Sequence, residues 1–317
     1  MPRMYNVPGR LVRAGRAVVA VRAYSFLYEG GLIGPSEKMV VGPADGSSAP
    51  VPLAGVWRLK IEHDFGKTQP LALPFGPCNH QTPYILNDNM VQPLIPYAVR
   101  GATWYQGESN ESNPREYGRL LRALIRDWRR AWGQGDFPFL TVQLANFKQP
   151  LAYEPGSQWA LLREGQLRSL QDANTGLAVA IDIGDALDVH PRNKLDVGER
   201  LAQWALARTY DKPLTPSGPL YRDFVIEGDR IRLRFDHRGG GLVARDGVLK
   251  TFVVAGSGRK FVDADVEIDG DTVVVHSTEV SEPVAVRYAW ADNPAGCNLY
   301  NREGLPASPF RTDRWCG

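Results

Sequence analysis

The stretch that most constrains the fold is residues 101–110, which read GATWYQGESN. Residues 96–105 are apolar and β-prone, and the run breaks at Gln106 into small and polar residues. A helix signal follows at once. Asn113 suits an N-cap, Pro114 the first helical position, and Glu116 stands where a capping box needs it. A strand that ends in such a loop and turns into a helix is how α/β enzymes present polar groups at the carboxyl edge of a sheet. Gly107 lets a backbone N–H approach a ligand, and Gln106 and Asn110 offer neutral amides. Neutral donors converging on one point suit a tetrahedral oxyanion. A plain polar loop with a good cap fits the same residues.

From residue 82 the pattern alternates between helices and strands. A short helix is expected over 84–93, carrying Asn87, Asn89 and Met90. After Asn113, Tyr117, Leu120, Leu121, Leu124, Ile125, Trp128 and Trp132 recur on one helical face, which Gly133 ends. Residues 139–144 read as a buried strand. Ser157 caps a helix bearing Trp159, Leu162, Gln166 and Leu170. Residues 177–183 read as the next strand and 193–210 as the next helix. Such alternation implies a parallel sheet with covered faces.

The flanks are different. Residues 1–62 are β in character, with strands expected over 17–22 and 56–61, too few to close a sandwich with protected edges. Residues 63–78 form a Pro-rich connection. Beyond Pro213 and Pro216, hairpins are expected over 224–235, turning at Gly228 and Asp229, and over 266–275, turning at Asp269 and Gly270. A further strand over 284–290 completes a small antiparallel sandwich.

The 317 residues carry a net charge of only +2 with no basic stripe, which gives no footprint for nucleic acid. No apolar run is long enough to read as a membrane span, and residues 17–21, flanked by Arg16 and Arg22, are too short for a signal-peptide core. The compartment stays open. Cys78, Cys297 and Cys316 are too few and scattered for a zinc site or a disulfide framework, although one Cys297–Cys316 bridge is conceivable. Eight Trp and twelve Tyr suit sugar rings or a core equally.

WYQGESN and the run before it, residues 93–101, resemble a block of the sialate O-acetylesterase family, which belongs to the SGNH or GDSL-like carbohydrate esterases. The likeness continues through 128–130, 135–139, 142–147, 159–164, 182–185 and 190–194, in family order over about residues 79–222. The resemblance implies an α/β fold class. An incomplete SGNH-type parallel-sheet domain over 79–213 would be flanked by the remnant of an inserted β jelly-roll over 1–62 and a β-sandwich over 214–317. It implies removal of O-acetyl groups from carbohydrates by serine-type acyl transfer. The partner is then an O-acetylated carbohydrate, with no metal, cofactor, nucleic acid or membrane.

His190 lies in a loop with Asp182, Asp185 and Asp188 and precedes a helix, which suits a general base held by a carboxylate and equally a solvated surface histidine. The resemblance makes His190 the base, because the family's base lies in the matching His-Pro motif. Esterases of the broad group place Asp three residues before His, where this chain has Leu187. Asp188 is the expected partner and Asp185 the alternative. Gln106, Gly107, Glu108 and Asn110 would line the oxyanion and substrate cleft, with the Glu108 carboxylate holding the loop by hydrogen bonds.

The family's nucleophile block is absent. Ser25, Ser36, Ser47 and Ser48 do not follow a strand leading into a helix, and Ser109 falls in the oxyanion block, where a structural role is expected. The chain is therefore expected to be the C-terminal half of a longer esterase, with a separate N-terminal half carrying the serine. Two rivals stand beside this reading. One is a non-catalytic carbohydrate-binding or structural remnant; the other is a metal-assisted hydrolase using Asp182, Asp185, Asp188 and His190. The esterase reading requires the Gln106–Asn110 and His190 loops to face one cleft.

Overall fold

The computed structural model describes residues 4–13, 15–23, 35–62, 79 and 82–315. The chain divides into two units, Met1–Pro74 and Phe75–Gly317. In the first, β1 (Val40–Val41) pairs antiparallel with β2 (Val51–Pro52), and nearly every described residue is exposed. The strands expected over 17–22 and 56–61 do not form. Alternation makes a strand only where a neighbour takes its backbone groups and a layer covers its apolar side. Among the described residues Val18 and Leu59 have neither, and both remain 87% exposed.

The second unit is a mixed α/β assembly. Its parallel sheet has the order β3 (Ala102–Trp104), β4 (Phe139–Val142), β5 (Thr175–Ala178), with Ala102, Phe139 and Thr175 in register. Strand β5 begins and ends earlier than its apolar run suggests. Its last link to β4 is Gln143 N–H to the Ala178 carbonyl, and past that point Val179–Ile181 stay buried without a ladder.

Three helices cover the sheet: α1 (Pro114–Trp132), α2 (Gln158–Leu167) and α3 (Lys194–Arg208). Helix α1 buries Tyr117, Leu121 and Ile125 against Phe139, Leu144, Trp159 and Leu162, while Leu120 falls outside the buried stripe. Gly133 ends it in the left-handed conformation at φ 63°. Asn113 holds the N-cap position, but its side chain makes no capping bond, and Glu116 accepts from Arg119 Nε at 2.9 Å instead of closing a capping box. Ser157 and Asn193 do cap, accepting from the backbone N–H of Ala160 and Asp196. Helices α1 and α2 cross at glycines: a Cβ on Gly118 would lie 3.0 Å from the Gly165 Cα. The short helix expected over 84–93 is a π-helical turn, Asn87–Val91, followed by a 3-10 turn, Gln92–Leu94.

Beyond α3 lie β6 (Leu220–Glu227), β7 (Arg230–Asp236), β8 (Leu242–Ala244), β9 (Phe252–Ala255) and β10 (Phe261–Asp263). They are followed by β11 (Asp265–Asp269), β12 (Thr272–His276), β13 (Ala285–Tyr288), β14 (Leu299–Asn301) and β15 (Phe310–Arg311). Two antiparallel sheets, β11-β12-β7-β6 and β10-β9-β13-β15, enclose Leu233, Phe235, Val254, Val275, Val286 and Phe310. Both hairpins form. Gly228 turns the first at φ 65°, and the second turns one residue later than the pattern suggests, at Gly270 and Asp271.

Candidate active site

Because β3, β4 and β5 are parallel, the loops after them leave from one edge of the sheet. The first holds Gln106 to Glu111, the second Asn146 and Lys148, the third Asp182 to His190.

The first loop is braced from below. The Gln106 carbonyl accepts from the Tyr117 hydroxyl at 2.7 Å and from Gln166 Nε2 at 3.1 Å, and Trp104 Nε1 donates to Tyr117 at 3.2 Å. Gln166, fully buried, also accepts from Leu144 N–H at 2.9 Å. Gly107 is packed closely: a Cβ there would lie 2.9 Å from Leu162 Cδ2 and 3.2 Å from Gln166 Nε2, so those side-chain tips would have to move. A 3-10 turn, Glu108–Asn110, closes with Asn110 N–H donating to the Gly107 carbonyl. Gln106 Nε2 donates to Asn110 Oδ1 at 2.9 Å, so the two amides orient each other and only the Asn110 amide keeps both of its N–H donors.

Glu108 behaves differently from expectation. Its carboxylate makes no hydrogen bond among the described residues; Tyr117 and Gln166 hold the loop in its place, since they reach the backbone from the helices. Burial, assisted by the Glu108 charge, pushes the Tyr105 hydroxyl up to about 12. Ser109 is exposed on the turn.

The third loop is held at its root and open at its tip. Asp182 accepts from Arg200 Nη1 and Nη2 at 2.6 and 2.9 Å and from the Tyr300 hydroxyl at 3.1 Å. Gly184 N–H donates to Asn146 Oδ1 at 2.7 Å, and a Cβ on Gly184 would strike the Asn146 carbonyl at 1.9 Å. Asp185 accepts from Leu187 N–H, and Asp188 from His190 N–H at 2.9 Å. His190 Nδ1 lies 3.4 Å from Asp188 Oδ1, with the imidazole side chain 83% exposed. That backbone donation, with the imidazole beside it, holds the Asp188 carboxyl below its usual range. Asp182 thus faces a guanidinium and a phenol, and among the described residues no three His, Cys, Asp or Glu side chains gather as a metal ion would need.

The segments flanking these loops meet: Lys194 Nζ, at the start of α3, sits over the Tyr105 ring, 4.7 Å from its centroid, and Val189, Trp104 and Phe147 pack against one apolar cluster.

Several supporting residues carry no motif. Arg163, fully buried on α2, donates to the carbonyls of Leu144, Ala145, Ala291 and Asp292, each at 2.8 Å. Burial pulls its guanidinium down to about 9, opposed by the nearby Asp292 charge. Lys148 Nζ bridges Glu111 and Asp292. Burial alone would raise the Asp292 carboxyl, but Lys148 and Ser157 outweigh it and hold it below its usual range. A buried polar residue on an otherwise apolar helical face, as Arg163 and Gln166 are on α2, is the one signal that could have marked them. Cys297 is a free thiol, and the proposed bridge to Cys316 lies outside the described residues.

The amide loop and the His190–Asp188 pair thus leave one edge of a parallel sheet. The comparisons go further. Residues 86–207 match the family of carbohydrate esterases described as sialic acid-specific acetylesterases. Sialate O-acetylesterases from Mus musculus and Homo sapiens are 31% and 30% identical over 260 and 261 residues, covering 74% of this chain and 48% and 49% of theirs. A crystallised carbohydrate acetylesterase from Xanthomonas citri is similar at 44% identity and a TM-score of 0.70, over 74% of this chain and 55% of that one. The chain spans about half the length of the curated relatives it matches. Over the matched residues it is similar to the sialate O-acetylesterases, as the WYQGESN block implied.

Proposed function

We propose that this chain contributes to hydrolysis of O-acetyl esters on carbohydrates by serine-type acyl transfer, on an SGNH-type sheet. The observation that carries the reading is the shared edge: the Gln106–Asn110 turn and the His190 loop leave strands of one parallel sheet, with Lys194, at the start of α3, reaching over Tyr105, just before the turn. His190 takes the proton of the attacking serine and returns it to the departing sugar oxygen, while Asp188, 3.4 Å away, orients the imidazole. As the acetyl carbonyl becomes tetrahedral, the Gly107 N–H and the Asn110 amide supply hydrogen bonds to its oxygen, with Gln106 fixing the Asn110 rotamer. Glu108, uncommitted to any hydrogen bond among the described residues, faces substrate hydroxyls. Water then hydrolyses the acetyl-enzyme with His190 as base.

The serine is proposed to come from a polypeptide matching the part of the relatives this chain does not cover. Ser157, buried at the N-cap of α2, is engaged with Asp292 and Ala160, and Ser109 is left a structural role. The test is hydrolysis of p-nitrophenyl acetate by the chain alone and with its upstream genomic sequence restored. Activity confined to the longer form, lost in His190→Ala, supports the reading. Activity of the chain alone that vanishes in Ser109→Ala would move the nucleophile to Ser109. No hydrolysis by either form, with acetylated sugar still bound, would favour a non-catalytic carbohydrate-binding role.

A further inference from the structure

Both loops of the candidate site are tied to the C-terminal sandwich, at three points. Asp292, just past β13, accepts from Lys148 Nζ at 2.7 Å, and Lys148 pairs with Glu111 at the end of the first loop. Asn293 Oδ1 accepts from Asn146 Nδ2 at 2.9 Å, and Asn146 in turn accepts from Gly184 N–H in the third loop. Tyr300, on β14, donates to Asp182 at the root of the third loop.

These anchors are rigid, which decides what they can do. An exposed ion pair holds little, because both side chains must be ordered to form it. The Asp292 side chain is only 9% exposed and is already fixed by Ser157 and the Trp159 N–H, so Lys148 docks on a carboxylate with no freedom left to lose. Tyr300 is 4% exposed and lies under the Arg245 guanidinium, 3.7 Å from the ring centroid. Burial, reinforced by Asp182, pushes its hydroxyl well above the usual range, so it remains a donor.

We infer that the C-terminal β-sandwich is a working part of the candidate site rather than an appended module, with Lys148 and Tyr300 as positioning residues for the Gln106–Glu111 and Asp182–His190 loops respectively. The catalytic consequence rests on the acyl-transfer reading; the mechanical claim does not.

Tyr300→Phe removes one hydroxyl and no packing, and Lys148→Met removes one charge, with Lys148→Arg as the conservative control. Amide hydrogen exchange on the full chain should show a crossed pattern. Tyr300→Phe is expected to speed exchange about tenfold over residues 183–190 and leave 106–111 unchanged, and Lys148→Met to do the reverse. Lys148→Arg should restore protection, since a guanidinium reaches both carboxylates. In the form that hydrolyses p-nitrophenyl acetate, each loosened loop should lower kcat and leave KM within about twofold. If exchange rises equally in both loops and across the sandwich, or in neither loop, the inference is overturned. If the crossed pattern appears and no form hydrolyses the ester, the acyl-transfer reading fails and the positioning role stands.

Discussion

The two loops of the candidate site solve opposite problems. The Gln106–Asn110 loop is fixed from beneath by Tyr117 and Gln166, which grip the Gln106 carbonyl, and at its far end by the Glu111–Lys148 pair. The His190 loop is fixed only at its root, by Asp182 and Gly184, and its tip is shaped by short contacts of Asp185 and Asp188 with backbone amides two residues on. Donors that meet a developing charge gain from being immobile before the reaction starts. A base that must accept a proton and later release it to a departing group needs access to both. On the proposed roles, the difference teaches that rigidity is invested in the oxyanion side, and that the base side relies on local turns.

The largest effect expected from this contrast is catalytic and one-sided. His190→Ala should lower p-nitrophenyl acetate hydrolysis in the competent form by about 10⁴-fold. Its urea midpoint should correspond to a change within about 0.5 kcal/mol, because the side chain is 83% exposed. A clear loss of stability would show that the His190 loop is structural after all. Gln166→Leu should do the reverse and cost about 3 kcal/mol in urea unfolding, because it strands the Leu144 N–H and deprives the Val142 and Gln106 carbonyls of a donor. Tyr117→Phe is the milder version, about 1 kcal/mol, with kcat reduced more than KM is changed.

The smallest effect is in the pH dependence of unfolding. Lys148 is raised above its usual range, so its contribution is complete below about pH 10 and is lost as pH rises through the folded value. Asp292 is lowered, so its contribution is complete above about pH 4 and is lost as pH falls through the folded value. Comparing Lys148→Met with the parent should therefore show the stability gap narrowing at both extremes. A gap that is flat across the range would mean the pair adds nothing.

Much of this was legible in the sequence, for definite reasons. Periodicity located α1, and Gly133, Ser157 and Asn193 marked helix ends because each has a local mechanism that needs no tertiary partner. The three strands and the order of the loops followed from alternation. Strand limits did not, because β5 extends only as far as β4 offers partners, a fact carried by another segment. The capping box failed for a similar reason: Arg119, one turn on, competes for Glu116. The strands expected over 17–22 and 56–61 had the right pattern and no neighbour among the described residues. Gln106, Gly107, Asn110, Asp188 and His190 were legible as polar loop residues. Arg163, Gln166 and Tyr300 were not, since what they do is set by carbonyls and carboxylates distant in the chain.

The glycine crossing of α1 and α2 has a consequence for inheritance. Gly118 follows Tyr117, and Gly165 precedes Gln166, so the two residues that grip the Gln106 carbonyl each sit beside the point where the helices touch. A methyl group at either glycine would meet the other helix's backbone at 3.0–3.1 Å, so the crossing would have to give by about a few tenths of an ångström and both grips would shift with it. Two positions without any side chain therefore act as a spacer gauge for the loop, and drift there should be tolerated less than drift at many residues that look chemically busier.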